Sequence, residues 1–152
     1  MHYEWRCKRF AELTPYELYA LLKLRSEVFV VEQNCVYLDI DGKDPKGFHL
    51  VCWSEEEVLA CTRLLPAGVS YGEMSIGRVA TAYKVRRFGL GRELMQQSIR
   101  QCYQLFGEAP IRIGAQLYLR RFYESFNFVQ ASPVYLEDGI EHIEMVLSTP
   151  NG

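Results

Sequence analysis

Tyr3, Trp5 and Cys7 alternate with Glu4, Arg6 and Lys8, the two-residue period of a half-buried strand. Thr14-Pro15-Tyr16-Glu17 forms a capping box with proline at the first helical position. Leu18, Leu21, Leu22, Arg25, Val28 and Phe29 mark one face of the helix that follows, and a break is expected near Ser26. From Val30 to Asp44 the chain turns from apolar to acidic and ends in a Gly/Asp/Pro loop. Phe48 to Trp53 and Val58 to Leu65 read as strands joined by the acidic turn Ser54-Glu55-Glu56-Glu57, and Pro66 to Gly72 as a loop. Ser75 to Thr81 predicts another strand, with β-branched and small residues and no proline. Leu90, Leu94, Met95, Ile99 and Cys102 then recur at helical spacing until Gly107 to Pro110 stop the pattern. A short strand is predicted at Ile111 to Ala115 and a helix at Leu117 to Phe126. A closing hairpin, Phe128 to Leu136 with Ile140 to Leu147, turns at Glu137-Asp138-Gly139. This order predicts an α/β architecture, a mixed central sheet flanked by helices, in a single domain over residues 1–152.

Composition narrows the classes of partner. The chain has 152 residues, 49% hydrophobic and 24% charged, enough for one well-filled core. A formal net charge of −2 argues against general affinity for nucleic acid or anionic membrane. No apolar run approaches the roughly 18 residues of a membrane span. The opening MHYEWRCKRF has no signal-peptide core, so a cytoplasmic location is expected. The five cysteines are scattered, with no C-x-x-C pair, so neither a disulfide framework nor a metal site is predicted. Cys7, Cys52 and Cys61 sit in apolar stretches and read as small core residues, while Cys35, in a loop, is the one candidate for reactivity.

The chemistry concentrates between Ser75 and Met95. There a strand enters the basic turn Arg86-Arg87-Phe88-Gly89-Leu90-Gly91, and the turn opens a helix. Unpaired N–H groups at a helix start, the peptide dipoles and nearby arginines together suit a phosphate. A dinucleotide fingerprint fails because Leu94 stands where its third glycine belongs, and a P-loop lacks G-K-[ST].

The turn resembles motif A of the GNAT acyltransferases, R/Q-x-x-G-x-G/A after a strand, with Arg86, Gly89 and Gly91 filling the pattern and Val79-Ala80-Thr81 at the strand end. Gln116 to Phe128 resembles motif B of the same family: Phe122, Tyr123, Glu124 and Phe128 match, while Gln116, Leu119 and Asn127 replace its Asn, Ala and Gly. The segment Arg25 to Gln33, with Tyr37, Asp39, Asp41, His49-Leu50, Gly114-Ala115-Gln116 and Glu137-Asp138-Gly139-Ile140-x-His142, is similar to the ElaA-type branch of that family.

The resemblance implies a GNAT (acyl-CoA N-acyltransferase) fold with splayed central strands and acetyl-CoA as co-substrate, without a metal. It implies cofactor contacts from Val79, Ala80, Thr81, Arg86, Arg87, Phe88, Gly89, Leu90, Gly91, Arg92 and Gln116. Val79 and Thr81 would pair with the pantetheine amides, and a backbone N–H near Val79 would face the thioester oxygen. Tyr123 is implied as the acid, or hydrogen-bond donor, toward the departing thiolate, with Glu73 and Ser75 as candidates for the base. Glu32, His49 or a water are further candidates for that base. A cationic amine acceptor is expected, which Asp39, Asp41 and Asp44 would attract unless they form an ordinary solvated loop. Arg25, on a mostly apolar face, is expected to pair with a carboxylate. A homodimer is compatible with the family. A non-catalytic acyl-CoA binder or interaction module on the same scaffold is the rival reading.

Overall fold

Thr14 opens the first helix as its sequence requires. Its Oγ1 accepts from the Glu17 amide at 3.1 Å, and Glu17 Oε1 accepts from the Thr14 amide at 2.9 Å. In the computed structural model, which describes residues 2–150, this helix is α1, Pro15–Arg25. At the expected break it does not stop: it widens into a π-helical stretch, Ser26–Glu32, a local irregularity common beside functional sites.

The strands are β1 (Glu4–Arg9), β2 (Phe48–Ser54), β3 (Glu57–Leu65), β4 (Met74–Thr81), β5 (Ile111–Gln116), β6 (Val129–Gln130), β7 (Tyr135–Glu137) and β8 (Ile140–Leu147). The remaining α-helices among the described residues are α2 (Leu90–Phe106) and the short α3 (Arg120–Glu124). One sheet runs β1-β2-β3-β4-β5-β8, with β6 and β7 both along the outer edge of β8. Among the described residues only β4 and β5 are parallel, so the sheet is mixed.

Two hydrophobic layers hold the sheet. Leu21, Leu24 and Val28 pack on Val51, Trp53, Val58, Cys61 and Ala80 on one face. On the other, Leu90, Leu94, Met95 and Cys102 of α2 pack on Ile111, Ile113, Ala115, Ile143 and Met145. These are the positions at helical and alternating spacing, and all are nearly or wholly excluded from water.

Two predicted elements differ from those observed. Phe128 to Leu136 does not form one strand. Between β6 and β7 the Ala131 amide donates to the Glu144 carbonyl at 2.8 Å, and the Glu144 amide donates to Ser132 Oγ at 2.8 Å. Pro133, which has no amide hydrogen, lies in the bulged segment. The helix predicted over Leu117 to Phe126 is a single 3₁₀ turn, Leu117–Leu119, followed by α3.

Two adjacent features place the site. β4 and β5 pair only through Met74 with Ile111 and Ser75 with Arg112, and beyond Ser75 they diverge. The cause lies in β4. Cys61 pairs with Ala80 and Arg63 with Gly77, so two steps on β3 oppose three on β4, and the extra residue makes a β-bulge that bends the strand. Arg78 occupies that bulge at φ 50°, a left-handed conformation that a side-chain-bearing residue adopts only at a cost.

Candidate active site

The divergence opens a cleft of about 820 Å³ between β4 and β5, bounded by the π-helical stretch, the segment after it and the β7–β8 hairpin. Past Ser75 the edges of β4 and β5 that face each other have no strand partner among the described residues. Their free N–H and C=O groups can take an extended amide-bearing ligand as an added strand would.

Ser75, Val79, Ala80, Thr81, Arg86, Gly91, Gln116 and Tyr123 line this cleft together. Arg87, Phe88, Gly89, Leu90 and Arg92 are not among its lining residues. Leu90 is a core side chain and Phe88 projects into solvent. Arg92 donates to Ser125 Oγ at 2.9 Å and lies 4.7 Å from the Phe126 ring centre, tying the start of α2 to the end of α3. Gly89 and Gly91 carry no side chain, so at these positions it is the backbone that faces an approaching phosphate. Gly89 sits at φ 74°, and its carbonyl takes the first α2 hydrogen bond from Glu93. The amides of the first turn therefore lack intrahelical acceptors.

Arg86 is engaged. Its Nη1 and Nη2 donate to Glu32 at 2.6 and 2.8 Å, and Nη2 also donates to the Thr81 carbonyl at 3.0 Å. Glu32, one candidate base, is thereby committed to an ion pair that links the π-helical stretch to the basic turn.

The other candidate bases separate cleanly. Glu73 lies outside the cleft lining. Arg112 grips it through two hydrogen bonds of 3.0 Å, which hold its carboxyl below the usual carboxylate range and weaken it as a base. His49 is 1% exposed and away from the cleft. Its Nε2 donates to the Asp44 carbonyl at 3.0 Å, and burial lowers its pKa. Ser75 lines the cleft, buried, with a hydroxyl that can relay a proton but is no base by itself.

Tyr123 is held by its ring, edge-on to Phe122 at 5.2 Å and to Phe128 at 6.1 Å. Burial pushes its phenol well above the ordinary value, so the hydroxyl stays neutral and able to donate. Among the described residues no hydrogen bond perturbs this phenol, whose environment is set by burial and by Tyr118.

Asp39, Asp41 and Asp44 do not form a solvated loop. Arg25, itself 1% exposed, donates to Asp39 Oδ2 at 2.9 Å and to Asp44 Oδ1 at 2.7 Å. Arg63 reaches Asp41 at 2.8 and 2.9 Å and Asp44 at 3.1 Å. Arg78 Nε lies 2.8 Å from Asp39 Oδ1, and its Nη2 donates to the Asp39 carbonyl at 2.9 Å. Three arginines thus neutralise three aspartates, and the same network holds Arg78 in its bulge. These carboxylates fix the cleft's shape and leave no net negative charge to draw in a cation. Cys35 is buried, its Sγ within 3.5 Å of the Asp138 carbonyl, and serves as a contact between two walls of the cleft.

Several groups in or beside the cleft lining were not singled out for a role from sequence. Arg63 was visible as a lone charge inside an apolar strand. Tyr71 and Tyr135 meet above Gly114, where an added Cβ would stand 2.9 and 3.3 Å from their hydroxyl oxygens. That crowding depends on three distant segments and carries no local signal. Among the described residues no group of three or more His, Cys, Asp or Glu is arranged to hold a metal ion, and no helix is long and apolar enough to cross a membrane.

Comparison with known proteins agrees with this geometry. The acetyltransferase (GNAT) domain family model matches residues 20–149. Protein ElaA of Escherichia coli is 42% identical over 144 residues, covering 93% of this chain and 94% of the relative. Its crystal structure superposes with a TM-score of 0.89 at 39% identity, over 95% of this chain and 99% of that one. An acyl-CoA N-acyltransferase from Pseudomonas aeruginosa superposes with a TM-score of 0.92 at 42% identity, over 97% of this chain and 100% of that one. With its bulged central strand and open β4–β5 cleft, the chain belongs to the GNAT acetyltransferase family.

Proposed function

We propose that the cleft binds acetyl-CoA and passes its acetyl group to a primary amine by direct attack within a ternary complex. The observation that carries this reading is the two-residue pairing of β4 and β5 followed by divergence, beside an α2 start that no side chain caps. The pyrophosphate would rest on the amides of Gly89, Leu90, Gly91 and Arg92, with Arg86 and Arg87 contributing charge and Phe88 only its place in the turn. The pantetheine arm would lie along Val79, Ala80 and Thr81 on one side and Gln116 on the other, its amides pairing with the free strand edges. A backbone N–H near Val79 would then stabilise the oxyanion of the tetrahedral intermediate.

The acceptor would enter past the β7–β8 hairpin. There Glu137 and Asp138 line the cleft with no lysine or arginine partner among the described residues, and they suit an ammonium group. Tyr123 would hydrogen-bond the departing sulfur. Ser75 would serve in a proton relay, and Glu73 is set aside because Arg112 holds it.

Release of coenzyme A thiol from acetyl-CoA tests this, over a panel comprising spermidine, a lysine-bearing peptide and simple alkylamines. Release that depends on one of these amines, with the acetylated product found by mass spectrometry, is expected. Acetyl-CoA binding with no acetylation of any amine, peptide or protein would overturn transfer and leave an acyl-CoA-binding module.

A further inference from the structure

We infer that His142 is the base that takes the proton from the incoming ammonium group, with Glu137 holding the imidazolium that results. The inference rests on the acetyl-transfer reading and adds to it the group that activates the acceptor.

His142 lies on β8 and is 7% exposed, and what it shows faces the cleft. It pairs in register with Gln116 on β5 and with Tyr135 on β7. It therefore stands one strand from the parted edge of β5, about 5 Å away. Its Nδ1 lies 2.7 Å from the Ile140 carbonyl oxygen, which can only accept, so Nδ1 carries the hydrogen in the neutral ring. The lone pair is left on Nε2, which lies 3.4 Å from Glu137 Oε2. The Tyr135 ring stacks on the imidazole at 5.9 Å and 29°, fixing its plane. The Ile140 carbonyl at Nδ1 orients the ring as the partner of a general base does, and Glu137 stands at Nε2 to hold the imidazolium once the proton has arrived. The other cleft carboxylates are less suited. Glu32 and Asp41 are held by arginines, and Asp138 lies at the hairpin turn at φ 51°.

The proton balance closes. One proton passes from R–NH₃⁺ to Nε2, directly or through one water, and leaves to solvent after turnover. The freed nitrogen lone pair forms the N–C bond, and the C–S bond breaks as the tetrahedral intermediate collapses. The second nitrogen proton ends on the coenzyme A thiol, directly or through water, while the Tyr123 hydroxyl hydrogen-bonds the departing sulfur.

The titratable neighbours are Tyr135 and Glu137 from β7, Tyr71 from the loop before β4, and Asp138 at the turn. Glu144, on the same face of β8, is held by Arg112 at 2.8 Å, and Gln116 is neutral. Of these, Glu137 is the one whose carboxylate lies within ion-pair distance of Nε2.

The test is kcat/KM from pH 6 to pH 10 with acetyl-CoA and whichever panel amine reacts fastest, for wild type, His142→Gln and Glu137→Gln. His142→Gln is expected to lose roughly tenfold or more at pH 7. The gap should close toward about pH 10, where the amine deprotonates unaided, with acetyl-CoA affinity and Tm retained. Glu137→Gln, which removes the charge beside Nε2, should lower kcat/KM at pH 7 by a smaller factor than His142→Gln, with acetyl-CoA affinity and Tm retained. A His142→Gln profile that overlays the wild type would overturn the base while leaving acetyl transfer standing. Absence of turnover in the wild type would remove both together.

Discussion

Arg25→Ala is expected to cost about 3–5 kcal/mol of folding stability, on the order of 10 °C in Tm, read by urea denaturation. The guanidinium is essentially inaccessible, and Asp39 and Asp44 are each 6% exposed at the side chain. Removing the cation strands two carboxylates that water cannot reach. Arg63 and Arg78 compensate only in part, because each already serves Asp41. The pH dependence follows the same contacts. Burial alone would raise the carboxyls of Asp41 and Asp44, but hydrogen bonds from Arg63 to the first, and from Arg25 and Arg63 to the second, outweigh it and hold both below their usual value. Their contribution is therefore complete above about pH 4, the ordinary aspartate range, and fades as the medium becomes more acid. The difference between wild type and Arg25→Ala should shrink in that acid range. A loss under about 1 kcal/mol at pH 7 would mean the network behaves as an exposed one.

Tyr123→Phe is expected to lower kcat by on the order of 10²-fold, or about 2.7 kcal/mol. Acetyl-CoA affinity and Tm should be unchanged. The ring's packing against Phe122 and Phe128 survives the substitution, so only the hydroxyl is lost. A free thiol titrates near 8.5 and a phenol near 10, and burial drives the Tyr123 phenol further up. Complete proton transfer to the leaving thiolate is thus uphill. What the hydroxyl supplies is a strong hydrogen bond to sulfur as charge builds there. Stopped-flow measurement of thiol release separates this step from binding. An unchanged kcat would place the tyrosine in packing alone.

Much of the fold was readable because its signals are local. The β1 alternation, the Thr14 capping box and the α2 periodicity each depend on neighbours within a turn or two. The basic turn between β4 and α2 was readable for the same reason. The device that opens the cleft was not. A bulge at Arg78 is a mismatch between β3 and β4, and its positive φ is sustained by Asp39 and Asp41, which are 39 and 37 residues away. The acidic segment after the first helix looked solvated because Arg25, Arg63 and Arg78 reach it only in three dimensions. The two later histidines show the same limit. His49 and His142 each sit in an apolar strand context, yet one is sealed behind Asp44 and the other faces the cleft. The interruption of Phe128 to Leu136 at Pro133 was legible in principle, since proline in a strand run argues for an edge or a break.

The direct test of the account is calorimetric titration of acetyl-CoA into the wild type and Gly91→Asp. An added Cβ at Gly91 would meet only Phe122 Cζ, at 4.0 Å, and its φ lies outside the left-handed range. An acidic side chain in the first helical turn also favours the helix, so the variant should fold normally. Binding heat in the wild type, with affinity reduced tenfold or more in Gly91→Asp at unchanged Tm, is the result expected if a pyrophosphate rests at the start of α2. No heat in the wild type, or equal affinity in both proteins, would contradict it.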